Sequence, residues 1–201
     1  MINSCQKSNC GYEIIKRNKT ITKDNCKIPI SFPEIRGLAD KERMTKLNEI
    51  FEKIPDHEFY AKDCEQKGKS KVIGNYEILL QNDSILSIEF QTLIERQNKR
   101  IDTVYHTVVV NPKVKDTSKF GILGIEPNKI VTNFDRGKIY PYIKKYSTEK
   151  LKNQINLLAY EKGSNYEITW AVSEKDFIIY LGGEGEWFGK NKLKIPLDKL
   201  K

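Results

Sequence analysis

Histidine, tryptophan and arginine are scarce in this sequence. The two histidines, His57 and His106, are few for nucleophilic catalysis, in which a Ser or Cys normally needs a neighbouring base. His57 sits in the polar Pro55–Glu58 turn and reads as a surface residue. His106 lies mid-strand beside Tyr105 and reads as structural or hydrogen-bonded, so it is kept only as a ligand-binding candidate. Neither a Gly-x-Ser-x-Gly elbow, nor a His-Glu-x-x-His helix, nor a phosphate-cradling Gly-rich loop is present. The chain is therefore expected to be non-catalytic, with no cofactor.

Arginine contributes only six of the 35 basic residues. A net charge of +8 raises the question of an anionic partner, but phosphate and base recognition favour the planar Arg fork. Dispersed lysines describe a solvated surface, and no nucleic-acid partner is expected. No apolar run approaches the roughly 18 residues needed to cross a bilayer as a helix.

The four cysteines, Cys5, Cys10, Cys26 and Cys64, fall in the first third. They permit two disulfides in three connectivities, which points to export, with free thiols in a reducing compartment as the alternative. Zinc needs closely spaced ligand pairs, and only Cys5 and Cys10 approach that spacing, so no metal site is expected. Ile2-Asn3-Ser4-Cys5 is compatible with a lipoprotein cleavage site. An N-terminal lipid anchor is the one membrane contact expected.

What is present is ordered alternation. Residues 1–11 read as a flexible tail. Tyr12–Arg17 and Cys26–Phe32 read as strands, the second placed at a sheet edge because Pro29 and Pro33 cannot donate ladder hydrogen bonds. Asp40 is a good N-cap, and Met44, Leu47, Ile50, Phe51 and Ile54 recur at helical spacing until Pro55. Val72–Leu80, Ile85–Glu95 and Ile101–Val110 predict an antiparallel meander. Leu86, Ile88, Phe90, Thr92 and Ile94 share one face, while Ser87, Glu89, Gln91 and Glu95 share a face expected to be wet. A second helix is predicted from Ser147 to Gly163, then strands at Tyr166–Val172, Phe177–Leu181 and Lys192–Pro196. This order predicts an α+β domain over 12–201, with antiparallel sheets packed against two main helices. Two associated subdomains are expected, at about 12–110 and 111–201.

The most unusual local sequence is the loop Gly182-Gly-Glu-Gly-Glu-Trp-Phe-Gly189. Its glycines free the backbone, Trp187 and Phe188 offer flat apolar faces, and Glu184 and Glu186 can accept hydrogen bonds from hydroxyls. These four residues join His106 as ligand-binding candidates. A carboxylate-dependent glycan hydrolase acting through Glu184 and Glu186 is the alternative, and a structural lipoprotein or interaction protein a third.

Several short stretches, taken in order, resemble a bacterial extracytoplasmic family. They are Ile28-Pro-Ile-Ser-Phe-Pro-Glu-Ile-Arg-Gly-Leu38, Leu47-Asn48, Tyr76-Glu-Ile, Ile85-Leu-Ser-Ile-Glu-Phe90, Asn133-Phe-Asp135, Gly137-Lys138 and Lys194-Ile-Pro196 with Leu200. The family provides the N-terminal module of certain peptidoglycan deacetylases and the ectodomain of the lysozyme-sensing anti-sigma factor RsiV. The resemblance covers the chain from about residue 12 to its end. It implies an exported or surface-anchored module that binds cell-wall glycan or an envelope protein, and it assigns deacetylase chemistry to a separate domain. A chain of +8 repels a strongly basic partner, so lysozyme is not carried over as the ligand.

Overall fold

In the computed structural model of the chain, the described residues are 10–23, 26–54, 71–95, 101–114, 139–149, 169–181 and 191–200. They are mostly β-sheet with two α-helices. In chain order the elements are β1 (Glu13–Lys23), β2 (Cys26–Arg36), α1 (Lys41–Lys53), β3 (Lys71–Gln81), β4 (Leu86–Glu95), β5 (Ile101–Val110), α2 (Ile139–Tyr146), β6 (Thr169–Val172), β7 (Asp176–Leu181) and β8 (Asn191–Pro196).

Five strands form one sheet in the order β1-β2-β3-β4-β5, and three form a second in the order β6-β7-β8. The meander β3–β5 is antiparallel as the alternation predicts, with Phe90 opposite Tyr76 on one side and His106 on the other. The β3–β4 turn is closed by Asn82, whose Oδ1 accepts from the backbone of Ser84 at 2.9 Å and Ile85 at 2.8 Å.

The placement of β2 at an edge is corrected. β1 and β2 form a long antiparallel hairpin, and β2 lies between β1 and β3. Its parallel contact with β3 has only one register pair, Ile30 with Gly74. Pro29 and Pro33 thus sit in a strand that keeps a partial edge, which is why two missing donors are tolerated there.

Helix α1 follows its sequence signals. Asp40 accepts from the Arg43 backbone N–H at 3.0 Å, and the helix ends at Lys53, before Pro55. Leu47 and Phe51 are fully buried against Leu86, Ile88 and Phe90, with the Phe51 and Phe90 rings 6.4 Å apart and tilted. Asn48 pins the helix to β2 by two bonds: its Oδ1 accepts from the Ile35 N–H at 2.8 Å, and its Nδ2 donates to the Ile35 carbonyl at 3.1 Å.

The helix expected over Ser147 to Gly163 lies outside the described residues beyond Glu149. The second helix described is α2, a stretch in which the alternation predicts no element. Pro141 falls in its first turn, where the missing N–H has no intrahelical acceptor to lose, so the proline does not break it. Ile143 anchors α2 in the core of the three-stranded sheet. Of the expected tail, Cys10 and Gly11 are described, and Cys10 is buried with Tyr12, Ile35 and Leu38.

The wet face expected for β4 is also corrected. Ser87 and Glu89 are fully buried, because the three-stranded sheet covers that face. Two polar contacts join the sheets: the Val172 N–H donates to Ser87 Oγ at 3.1 Å, and Thr107 Oγ1 donates to the Trp170 carbonyl at 2.6 Å. Polar side chains can be buried here because the second sheet presents partners to them.

Candidate functional site

A buried polar cluster lies between the two sheets and centres on Glu89. β4 places Glu89 on the covered face, and β7 and β8 approach it with Tyr180 and Lys192, which are register partners. The Tyr180 hydroxyl donates to Glu89 Oε2. Lys192 Nζ and Gln91 Nε2 both reach Oε1, at 2.7 and 2.6 Å. Glu89 has no solvent-accessible side chain, whereas Lys192 keeps 27% exposure. Its ammonium also lies 4.4 Å from the centre of the Tyr105 ring, which in turn stands 5.4 Å from the ring of Tyr180.

Electrostatics in the cluster favour neutral phenols. Burial, the hydrogen bond to Glu89 and the charge of that carboxylate together push the Tyr180 hydroxyl far above the usual tyrosine range. Tyr105 is raised as well, first by burial and then by Glu89, with a smaller opposing effect from its hydrogen bond to Thr103. Both oxygens of Glu89 are therefore occupied by donors and shielded from solvent. A carboxylate in that state can hold two sheets together but cannot reach a substrate. The parts of the cluster that reach solvent are Lys192, Gln91 and Tyr105.

Of the candidates drawn from the sequence, Glu184, Glu186, Trp187 and Phe188 lie outside the described residues. They belong to the connection between Leu181 and Asn191, the terminal register pair of the β7–β8 hairpin, immediately beyond Tyr180 and Lys192. His106 is half-buried on β5, between Tyr105 and Thr107, which both face the three-stranded sheet. Strand alternation puts His106 on the opposite face, with Phe90. It is thus separated by the sheet from the cluster at the hairpin. Cys26 is disulfide-bonded, to a cysteine outside the described residues. Cys10, counted among the bridging candidates, is instead a free thiol that packs in the core as a small apolar side chain. Among the described residues no group of three or more His, Cys, Asp or Glu side chains could hold a metal ion, and no helix is long and apolar enough to cross a membrane.

The signal for Glu89 in the sequence was weak. A lone Tyr in the apolar run Phe177–Leu181 needs a partner for its hydroxyl when buried, but nothing local says that the partner is Glu89.

No protein-family model matches the sequence, and no curated protein does. Among solved structures, a member of the DUF3298 family from Bacteroides fragilis is similar over 96% of this chain and 93% of its own, with 11% identity and a TM-score of 0.51. The fold resembles that of a DUF3298 protein. A DUF3298 family protein from Pseudomonas aeruginosa aligns over 94% of this chain and 91% of its own, at 10% identity and a TM-score of 0.47. These DUF3298 neighbours are bacterial, and at such identities the likeness is one of fold. Within the DUF3298-like fold described above, the Glu89 cluster stands where the two sheets meet.

Proposed function

We propose that the chain is a non-catalytic extracytoplasmic module that binds or senses cell-wall glycan or an envelope protein, as the module of peptidoglycan deacetylases and the RsiV ectodomain do in the family it resembles. The observation that carries this reading is the disulfide at Cys26, since such bonds persist in oxidising compartments outside the cytoplasm. The fold shared with the bacterial DUF3298 protein from Bacteroides fragilis is consistent with it. Glu89, the most deeply buried carboxylate in the described sheets, spends both oxygens on Tyr180, Lys192 and Gln91 and so is given a structural role.

The test is a titration of the purified chain with peptidoglycan fragments and teichoic polymers by calorimetry, with chromatography of the products. Saturable binding with unchanged ligand is the expected result. Cleaved or deacetylated product would replace this reading with the hydrolase alternative through Glu184 and Glu186, and no binding to any of the polymers would remove the glycan branch. Thiol labelling of the protein from its native host, before and after reduction, tests the compartment. Full labelling without reductant would overturn export.

A further inference from the structure

We propose that the polar end of the five-stranded sheet, where β1, β2 and β3 meet, is a binding groove for an uncharged sugar residue carrying an acetamido group. This rests on the glycan-binding reading above and assigns it to residues other than those of the Gly182–Gly189 loop.

A cavity of 340 Å³ opens where β2 and β3 run side by side. The two strands share a single register pair, Ile30 with Gly74, and both residues line the cavity.

The lining selects the ligand. Asn18, Ser31 and Asn75 supply neutral polar groups, and Pro29 and Ile73 supply apolar walls. Ser31 Oγ donates to Asn18 Oδ1 at 2.8 Å, which leaves the two Asn18 amide hydrogens and the Ser31 lone pairs for a ligand. Asn75 makes no side-chain hydrogen bond among the described residues. Amides both donate and accept, as sugar hydroxyls and an acetamido group do, and the acetamido methyl suits the Pro29 and Ile73 walls. Among the described residues the one charged residue in the lining, Lys19, is ion-paired to Glu52 at 2.5 Å, so they offer little to a phosphate or carboxylate.

The groove continues as a row. Asn18 pairs with Ser31, the Ile30–Gly74 pair sets Ser31 beside Asn75, Asn75 pairs with Gln91, and Gln91 pairs with Tyr105. Strand alternation puts all five side chains on one face. Gln91 and Tyr105 are engaged with Glu89 and Lys192, so the open part of the row runs over Asn18, Ser31 and Asn75, two strand spacings or about 10 Å, which suits a very short saccharide.

The experiment titrates the full chain with an oligomer of N-acetylglucosamine, its deacetylated form and a cello-oligosaccharide, and compares Asn75→Ala and Asn18→Ala with Trp187→Ala. Circular dichroism and thermal midpoint establish that each variant folds. The acetylated oligomer is expected to bind the wild-type chain best, with about tenfold loss in Asn75→Ala and a several-fold loss in Asn18→Ala. Binding unchanged in both Asn variants but lost in Trp187→Ala would overturn the groove and leave the glycan-binding reading standing. Equal binding of the cello-oligosaccharide would overturn the acetamido assignment. No binding of any of the three to the wild-type chain, with peptidoglycan fragments still bound, would overturn the groove alone; loss of both would overturn the two readings together.

Discussion

Tyr180 on β7 donates its hydroxyl to the carboxylate of Glu89 on β4, 91 residues away, and neither side chain is more than 1% exposed. Removing the hydroxyl with Tyr180→Phe leaves a buried carboxylate short of one donor. The expected cost is about 1–3 kcal/mol, the range for stranding a buried polar group. Glu89→Gln keeps the shape but gives up the charge-assisted bonds, at about 1.5–3 kcal/mol. Urea unfolding reads both as a lower midpoint at constant slope. A midpoint unchanged by either variant would remove the cluster from the account of how the sheets are joined.

The alkaline limb of stability should carry the mark of the same tyrosine. Its pKa is raised in the folded chain, so the folded state holds its proton where the unfolded state loses it. That contribution is fully present below pH 10, the ordinary tyrosine value, and is lost as pH rises above it. The thermal midpoint of the wild-type chain is expected to fall above pH 10 more steeply than that of Tyr180→Phe. Equal slopes would contradict the assignment.

At the acid end the relevant group is Glu34, held by hydrogen bonds from Arg17 and Arg36 to a pKa of about 2. The folded value lies below the unfolded one, so its contribution is present above about pH 4.5 and is lost as pH falls toward 2. This carboxylate faces solvent, so the effect is small and should shrink in 1 M salt. Thermal midpoints of Glu34→Gln and wild type should converge near pH 2 and separate slightly at neutral pH in low salt.

Helix α1 is attached by two polar devices as well as by its apolar stripe. Asn48→Ala removes both bonds to the Ile35 backbone and is expected to cost about 1–3 kcal/mol. Arg43 is buried, and its Nε donates to the Pro112 carbonyl at 2.9 Å while Nη2 donates to the Asn111 carbonyl at 2.5 Å. Lysine has no planar fork, so Arg43→Lys should destabilise by an amount comparable to Asn48→Ala. Chemical denaturation that ranks Arg43→Lys with ordinary exposed Lys or Arg changes would refute the role given to the fork.

Elements with strong local signals were legible in the sequence. Asp40 and the apolar stripe up to Ile54 delimit α1, and the alternation of Leu86 through Ile94 sets which face of β4 meets that helix. Alternation says which face is apolar, however, and not whether a later element covers the polar one. Ser87 and Glu89 read as solvent-facing because their partners, Val172, Tyr180 and Lys192, lie more than 80 residues away. The position of β2 was missed for a related reason: proline reports a missing donor but not how little of a neighbouring strand needs it. The groove was illegible as well, since Asn18, Ser31 and Asn75 are adjacent only through strand register.

The Ser87, Thr107 and Glu89 contacts all cross from one sheet to the other, which bears on how such a chain can vary over time. Each sheet carries polar groups whose partners are encoded in the distant half of the gene. A recombination event that replaced β6–β8 alone would leave Glu89 facing unmatched side chains. The two sheets are thus expected to be inherited together, and substitutions at 89, 180 and 192 to arise as a set.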